Sequence, residues 1–458
     1  MTKKILLMAG HSRAVHKWGM LGEVVKRLLE DKNNEIYYLD CGGQLSGYCG
    51  LNQKKHFGYC KKCYPMCLKI IKLAGLDDKN IITLKKFKAP EFPNFKSTEE
   101  ALNYEFEGYN YGLAPVSSIM TITRDYDFNI KKWNKTIKKF FQTEYIIFKN
   151  LEELDNTFQF DEFHTFNGRM SSMYPVVAYA IKNQKPYVVY DRGAGLNVMK
   201  TLHNTVPHDF FTIKKEIKEL WNRGTSDRIE LAQKWFNDRR KGNVHKLEMY
   251  TKDQIKNLLP KDFDTNKENI VFFNSSIDEV FAFDCWKLPF GKTENNIIKA
   301  ILEHYKNDNK KHFYLRVHPN LTKAKKKNTS QIREINEFKK QYPNLSVIEP
   351  DEKIDTYALM EACDKVLSTY STVACEATYW GKVSIIAGKA VYDELDCVYV
   401  AKSLENLFEL IDNPNLQPKP KENTYPFGYR TQIHGEKYRY FNEISLNEGT
   451  FMGELLKS

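Results

Sequence analysis

The stretch KVLSTYSTVACEATYWGKVSIIAG, Lys365 to Gly388, reads as a strand (KVLST), a helix (STVACEATYWG) and a second strand (KVSIIAG). Two strands joined by a helix run parallel through a right-handed crossover. Parallel sheets of this kind carry their ligand groups at the C-terminal ends of the strands. The polar residues between Ser368 and Thr372 therefore stand where a ligand would sit.

The same alternation extends outward from this unit. Upstream lie the strand IVFFNSS, the helix ENNIIKAILEHYKN, the strand HFYLRVHP, a polar helix ending near Gln341, the strand LSVIE and the helix DTYALMEAC. The first half of the chain opens as another βαβ unit: KKILLMAG, an amphipathic run from Trp18 to Glu30, then NEIYYLD. TFQFDEFHTFNGR, SSMYPVVAYAIKN and KPYVVYDRG repeat the pattern, and residues 68–157 between them read as a largely helical, aromatic insertion. The charged stretch LLPKDFDTNKEN is the expected interdomain linker. The expected organisation is α/β: a Rossmann-like domain over 1–258 and a second over 266–458, facing a cleft, with final helices packing back on the first.

At 458 residues and 42% hydrophobic content, two folded domains are the natural expectation. No apolar run reaches the roughly 18 residues of a membrane span, and ILLMAG is too short for a signal-peptide core, so the chain reads as cytoplasmic. A net charge of +11, dispersed except for KAKKK, favours acidic partners: a phosphorylated ligand, an anionic lipid surface or a nucleic acid. Nine cysteines without a secretion signal argue against a disulfide framework. Cys41, Cys49, Cys60, Cys63 and Cys67 crowd into one segment, where the first four would complete a four-sulfur structural zinc site or remain reduced thiols.

Three loops at expected strand ends carry small polar or cationic groups: NSSIDE (Asn274 to Glu279), RVHPN (Arg316 to Asn320) and STYSTVACE (Ser368 to Glu376). Ser371 and Thr372 stand at a helix start, where hydroxyls and backbone N–H groups meet an anion or Ser371 caps the helix. Glu376 lies one turn beyond Thr372, in reach of ribose hydroxyls. In the first half, Asp191 ends a strand with Arg169 and Arg192 nearby, and His11, Arg13 and His16 follow the first strand. These are candidates for an anionic acceptor, with Asp191 as a base or as one half of a structural ion pair.

RVHPN followed by LSTYSTVACEATYWGKVSIIAG resembles the C-terminal half of bacterial capsule and lipopolysaccharide glycosyltransferases of the GT-B type, and more distantly the His-Pro-motif sialyltransferases and Kdo transferases. FNGRMSSMYPVVAYA and VVYDRGAG are similar to segments of related polysaccharide transferases. The resemblance implies that His318, Pro319, Ser371 and Thr372 hold the donor phosphate; Ser275, Ser276, Arg316 and Glu376, on the same strand-end loops, complete the expected donor site. Charge building on the departing phosphate would meet His⁺, hydroxyls and a helix N-terminus, so no metal is needed for catalysis. The acidic motif that supplies the base in sialyltransferases has no match here. Implied partners are a CMP- or UDP-sugar and a glycan or lipid-linked glycan acceptor, at the inner face of an anionic membrane and without nucleic acid. A polyol-phosphate transferase of the teichoic-acid type would use similar loops. A nucleic-acid-binding protein would suit the charge, but no RNP, KH or helix-turn-helix signature is present. A Walker loop fails because Trp286 stands where its first glycine is required.

Overall fold

The computed structural model describes residues 2–9, 14–45, 49, 57–243, 251, 253–322 and 329–458. The chain divides into two compact units. Unit 1 comprises Met1–Ile119, Asn129–Pro207 and His434–Ser458, and unit 2 comprises Met120–Phe128 and His208–Ile433.

The first part of the chain forms β1 (Lys3–Met8), α1 (Val15–Glu30), β2 (Asn34–Asp40), α2 (Phe57–Leu73), β3 (Ile81–Thr83), α3 (Thr98–Leu102), β4 (Glu105–Phe106), β5 (Tyr109–Asn110) and α4 (Leu113–Thr123). It continues with α5 (Ile130–Phe158), β6 (Glu162–Phe166), α6 (Tyr174–Lys182), β7 (Tyr187–Arg192) and β8 (Val198–His203). Unit 2 then runs α7 (Phe210–Asn222), α8 (Arg228–Lys241), β9 (Glu268–Phe273), α9 (Glu294–His304), β10 (Lys311–Arg316), α10 (Ser330–Gln341) and β11 (Leu345–Ile348). It ends with α11 (Thr356–Ala362), β12 (Lys365–Ser368), α12 (Val373–Tyr379), β13 (Val383–Ile386), β14 (Tyr399–Val400), α13 (Leu404–Asp412) and α14 (Tyr425–Ile433). The chain returns to unit 1 with β15 (Glu436–Lys437), β16 (Phe441–Ser445), β17 (Glu448–Phe451) and β18 (Glu454–Lys457).

The unit 1 sheet has the order β15-β8-β7-β6-β1-β2-β3. It is parallel from β7 to β3, and β8 runs antiparallel to both of its neighbours. Leu6 and Leu7 in β1 and Tyr38 and Leu39 in β2 are fully buried, because helices cover both faces of a parallel sheet. The small β16-β17-β18 sheet packs against α1. Its Phe441 and Phe451 lie against Gly19 and Gly22, where a Cβ would run into those rings. Glu23, on the same helix and wholly buried, accepts the backbone N–H groups of Arg439 (2.7 Å), Tyr440 (2.8 Å) and Phe441 (3.0 Å) and the Arg27 Nε–H (2.6 Å). A buried carboxylate is tolerated when it is paired and hydrogen-bonded in this way.

Unit 2 carries a wholly parallel sheet of order β11-β10-β9-β12-β13-β14. Phe273, the last residue of β9, stands in register with Arg316 at the end of β10 and with Ser368 at the end of β12. Three strand ends are therefore level, and the loops that follow them start side by side. The chain leaves β9 in one direction for β10 and crosses to the other side for β12, which makes this edge a topological switch point.

Three expectations need revision. Residues 68–157 are not wholly an insertion, since β3 extends the parallel sheet, with Ile81 in register with Tyr38. The polar stretch expected as the linker lies inside unit 2: Leu258 O accepts from Asp355 N (3.0 Å), and the Phe263 ring stacks on Tyr314 at 5.2 Å. Polarity marks exposure there rather than a crossing between units, and the crossings fall at 119/120, 128/129, 207/208 and 433/434. The segment that returns to unit 1 is strands, whereas the last helix, α14, stays in unit 2, with Phe427 against Trp235 and Tyr429 against Trp221.

Candidate functional site

The level strand ends of unit 2 border a cavity of roughly 370 Å³, within the usual range for small-ligand sites. Its lining includes every residue that the sequence assigned to the donor: Ser275, Ser276, Arg316, His318, Pro319, Ser371, Thr372 and Glu376. Asn274, Trp286, Tyr357 and Tyr370 complete the part considered below. Tyr370 Oη donates to the Trp286 carbonyl (3.1 Å), and Trp286 Nε1 donates to the His208 carbonyl (2.7 Å), which fixes this aromatic wall.

His318 is set from two sides. Its backbone N–H donates to Asn274 Oδ1 (2.7 Å), and its ring Nδ1 accepts the Asn320 N–H (3.1 Å). A ring whose Nδ1 accepts carries its proton on Nε2, so the structure presents a neutral Nε2–H donor where the sequence suggested an imidazolium.

Ser371 combines both sequence expectations. Its Oγ accepts from Val373 N–H (3.3 Å), as a cap does, and its backbone N–H is held by Ser368 Oγ (3.1 Å). The hydroxyl hydrogen remains to be donated elsewhere. Thr372 Oγ1 donates to Glu376 Oε1 (3.0 Å), the one-turn pairing read from the spacing. Glu376, 2% exposed, also accepts from Arg239 Nε (3.1 Å) and from Tyr357 Oη (2.6 Å). Its carboxylate thus organises one wall of the cavity.

Ser276 Oγ donates to Asp278 Oδ1 (2.5 Å), and Asp278 pairs with Arg124 (2.7 Å). The Arg316 guanidinium spans the carbonyls of Glu349 (2.9 Å) and Glu352 (3.1 Å), and burial lowers its pKa to about 10. It ties β10 to the loop after β11.

One buried group beneath the cavity was not foreseen. Glu294, at the start of α9, accepts the Ser275 N–H (2.9 Å), the Thr369 hydroxyl and Gln331 Nε2 (3.2 Å). It thereby joins the β9 and β12 loops to α10. Burial pushes its carboxyl up to about 8, against the hydrogen bonds from Ser275 and Thr369, which act the other way. A glutamate just after a capping threonine reads as an ordinary first-turn residue, so sequence gave no signal for it.

In unit 1 the candidates are engaged within the unit. Asp191, at the end of β7, accepts from Asn167 Nδ2 (2.8 Å) and from the Arg192 backbone N–H (2.8 Å). The Arg192 side chain pairs with buried Glu443, so it does not close an ion pair with Asp191. Arg169 is 5% exposed and donates to Ser117 Oγ (3.0 Å). His16 lies in the first turn of α1, and burial, followed by the charges of Arg192 and Lys17, lowers its pKa to about 3. His11 and Arg13 lie outside the described residues. Cys60 and Cys63 both sit on α2, and Cys41 and Cys49 are buried. Among the described residues, no group of three or more His, Cys, Asp or Glu side chains gathers as a metal site requires, and no helix is long and apolar enough to cross a membrane.

Two doubly wound α/β units, one with a polar cavity at its switch point, are the elements of a GT-B-like fold. No protein-family model and no curated protein matches the chain. Among solved structures, it is similar to the β-Kdo 2,4 transferase KpsC of Thermosulfurimonas dismutans, at 13% identity over 61% of this chain and 86% of that one, with a TM-score of 0.39. It is also similar to a UDP-GlcNAc 2-epimerase from Neisseria meningitidis bound to UDP-GlcNAc, at 12% identity over 95% of each chain and a TM-score of 0.30. A third similar structure is S. aureus MnaA with UDP, at 13% identity over 94% of each chain and a TM-score of 0.31.

Proposed function

We propose that the chain is a glycosyltransferase that takes a sugar from a CMP- or UDP-sugar held in the unit 2 cavity and moves it to a surface-polysaccharide acceptor, at the cytoplasmic face of the membrane. One observation carries this reading: β9, β10 and β12 end in register, so Asn274, His318 and Ser371 line one cavity rich in hydrogen-bond donors. The bond from the anomeric carbon to the donor phosphate breaks as the acceptor oxygen bonds to that carbon. Negative charge builds on the departing phosphate, where His318 Nε2–H and the Ser371 hydroxyl are donors suited to receive it. On this reading no metal is needed at that step, and Ser275, Ser276, Pro319, Thr372 and Glu376 shape the donor site with Arg316 behind them. Acceptor recognition is assigned to Arg169, Arg192, His11 and Arg13, and removal of the acceptor proton to Asp191.

A thermal-shift panel of CMP, UDP, CDP and GDP tests the reading, since a ligand that binds the native state raises its melting temperature. Replacing Ser371 and Thr372 together with alanine should weaken nucleotide binding more than acceptor binding. An unaffected nucleotide affinity would remove the donor site from unit 2. Hydrolysis of the donor to a nucleotide and free sugar, rather than to a nucleoside monophosphate and polyol phosphate, separates this reading from a polyol-phosphate transferase. The zinc proposal for Cys41, Cys49, Cys60 and Cys63 is tested by elemental analysis of protein prepared without chelator, and free reaction of all nine native thiols would reject it.

A further inference from the structure

We propose that Asn274 is a ligand-binding residue of the unit 2 cavity: its amide nitrogen donates to an anionic phosphoryl oxygen, while its amide oxygen holds the His318 loop. The inference rests on the nucleotide reading above and assigns a residue that the motifs do not mark.

Asn274 follows β9 directly and is 2% exposed, yet it lines the cavity. Its two amide atoms cannot be exchanged. Oδ1 accepts the His318 N–H at 2.7 Å, and turning the amide over would set two donors against each other. The Nδ2 group is therefore fixed as a donor, and it finds no hydrogen-bond partner among the described residues. The next residue repeats the pattern: Ser275 is buried, gives its backbone N–H to Glu294, lines the same cavity and has no partner for its Oγ. Buried polar groups are seldom left unmade, and two adjacent ones bordering a cavity point to a ligand.

The chemistry of that ligand follows from what else faces it. His318 Nε2–H and the Ser371 hydroxyl are donors, and Glu376, the one carboxylate in the lining among the described residues, already accepts from Thr372, Arg239 and Tyr357. Converging donors with no spare carboxylate suit an oxygen-rich anion. A nucleotide phosphate and free pyrophosphate share that chemistry. Because Asn274 also holds the His318 backbone, a phosphoryl oxygen on Nδ2 would meet a histidine already set in place.

Asn274→Asp keeps the shape and the acceptor for the His318 N–H but replaces the donor with a carboxylate oxygen. The expected result is a variant that still folds, with a lower ligand-free melting temperature from the buried carboxylate, and at least a tenfold weaker affinity for whichever of CMP, UDP, CDP or GDP binds the native protein. The matching nucleoside, which lacks phosphate, should bind native and variant alike, and inorganic pyrophosphate should weaken with the nucleotide if the phosphoryl group alone is read. A folded variant with native nucleotide affinity, or an equal loss for the nucleoside, would overturn the assignment. Should Asn274→Asp not fold, Ser275→Ala serves, because Ser275 bonds the protein through its backbone. A several-fold loss of nucleotide affinity is expected there, and native affinity would again overturn it. A native protein that binds none of the four nucleotides would sink the glycosyltransferase reading itself and this inference with it.

Discussion

At the end of the unit 1 sheet several charged groups are answered within the unit: Asp191 by Asn167, Arg192 by Glu443, Arg169 by Ser117. At the end of the unit 2 sheet polar groups stop short. Asn274 Nδ2 and Ser275 Oγ find no partner among the described residues, and Ser371 retains a hydroxyl hydrogen to give. Both sheets are doubly wound, so that architecture alone does not make a site. What separates the two ends is where the unanswered groups stand: Asn274 Nδ2 and Ser275 Oγ are adjacent and line one cavity with His318 and Ser371, whereas, among the described residues, Thr165 Oγ1, Asn167 Oδ1 and Ser172 Oγ are left over in unit 1 beside pairs already made.

The largest effect should come from the unit 2 side. His318→Ala is expected to lower turnover by roughly a hundredfold or more, with the melting temperature kept, because it removes a donor at the departing phosphate. Native turnover in the folded variant would reduce His318 to a loop residue and erase the contrast.

Gly19→Ala should do the reverse, lowering stability without touching the nucleotide. Its Cβ would run into the Phe441 ring, an overpacking expected to cost about 1–3 kcal/mol. Calorimetry should find the loss, while nucleotide affinity, measured where the protein is folded, stays native.

A pH-dependent effect sharpens the comparison within unit 2. Glu294 titrates near 8 in the folded chain against 4.5 ordinarily, so between those values the native state holds a proton that the unfolded state has released. The native state then binds more protons, and its stability falls as pH rises from 4.5 through about 8, then levels. Melting temperatures of Glu294→Gln across this range should decline less than those of the native chain. Parallel curves would show that Glu294 does not carry the buried proton.

Unit 2 was legible because its signals are local. From IVFFNSS to KVSIIAG each strand and helix announces itself within a few residues of the last, and strand-end loops are where parallel sheets keep ligands. Ser371, Thr372 and Glu376 could be placed on one turn by counting. Asn274 could not, since an asparagine after a strand is usually a turn residue, and its part depends on a histidine 44 positions away. Arg316 was legible as a cation at a strand end, but not as a brace for the carbonyls of Glu349 and Glu352. The C-terminal return was hidden for the same reason. Phe441 and Phe451 look like ordinary strand residues, Gly19 and Gly22 like ordinary helix glycines, and neither pair refers to the other until the chain closes.

That closure also sets an order of events on the ribosome. Glu23 and the Phe441 N–H that it accepts are 418 positions apart, with all of unit 2 between them. As the nascent chain emerges, α1 is made early, with its glycine face and buried carboxylate still uncovered. Unit 2 has all its residues before β16 exists. The early-made part of unit 1 is thus completed last, and until then an apolar groove and a carboxylate held only by Arg27 stand open to whatever meets unfinished chains.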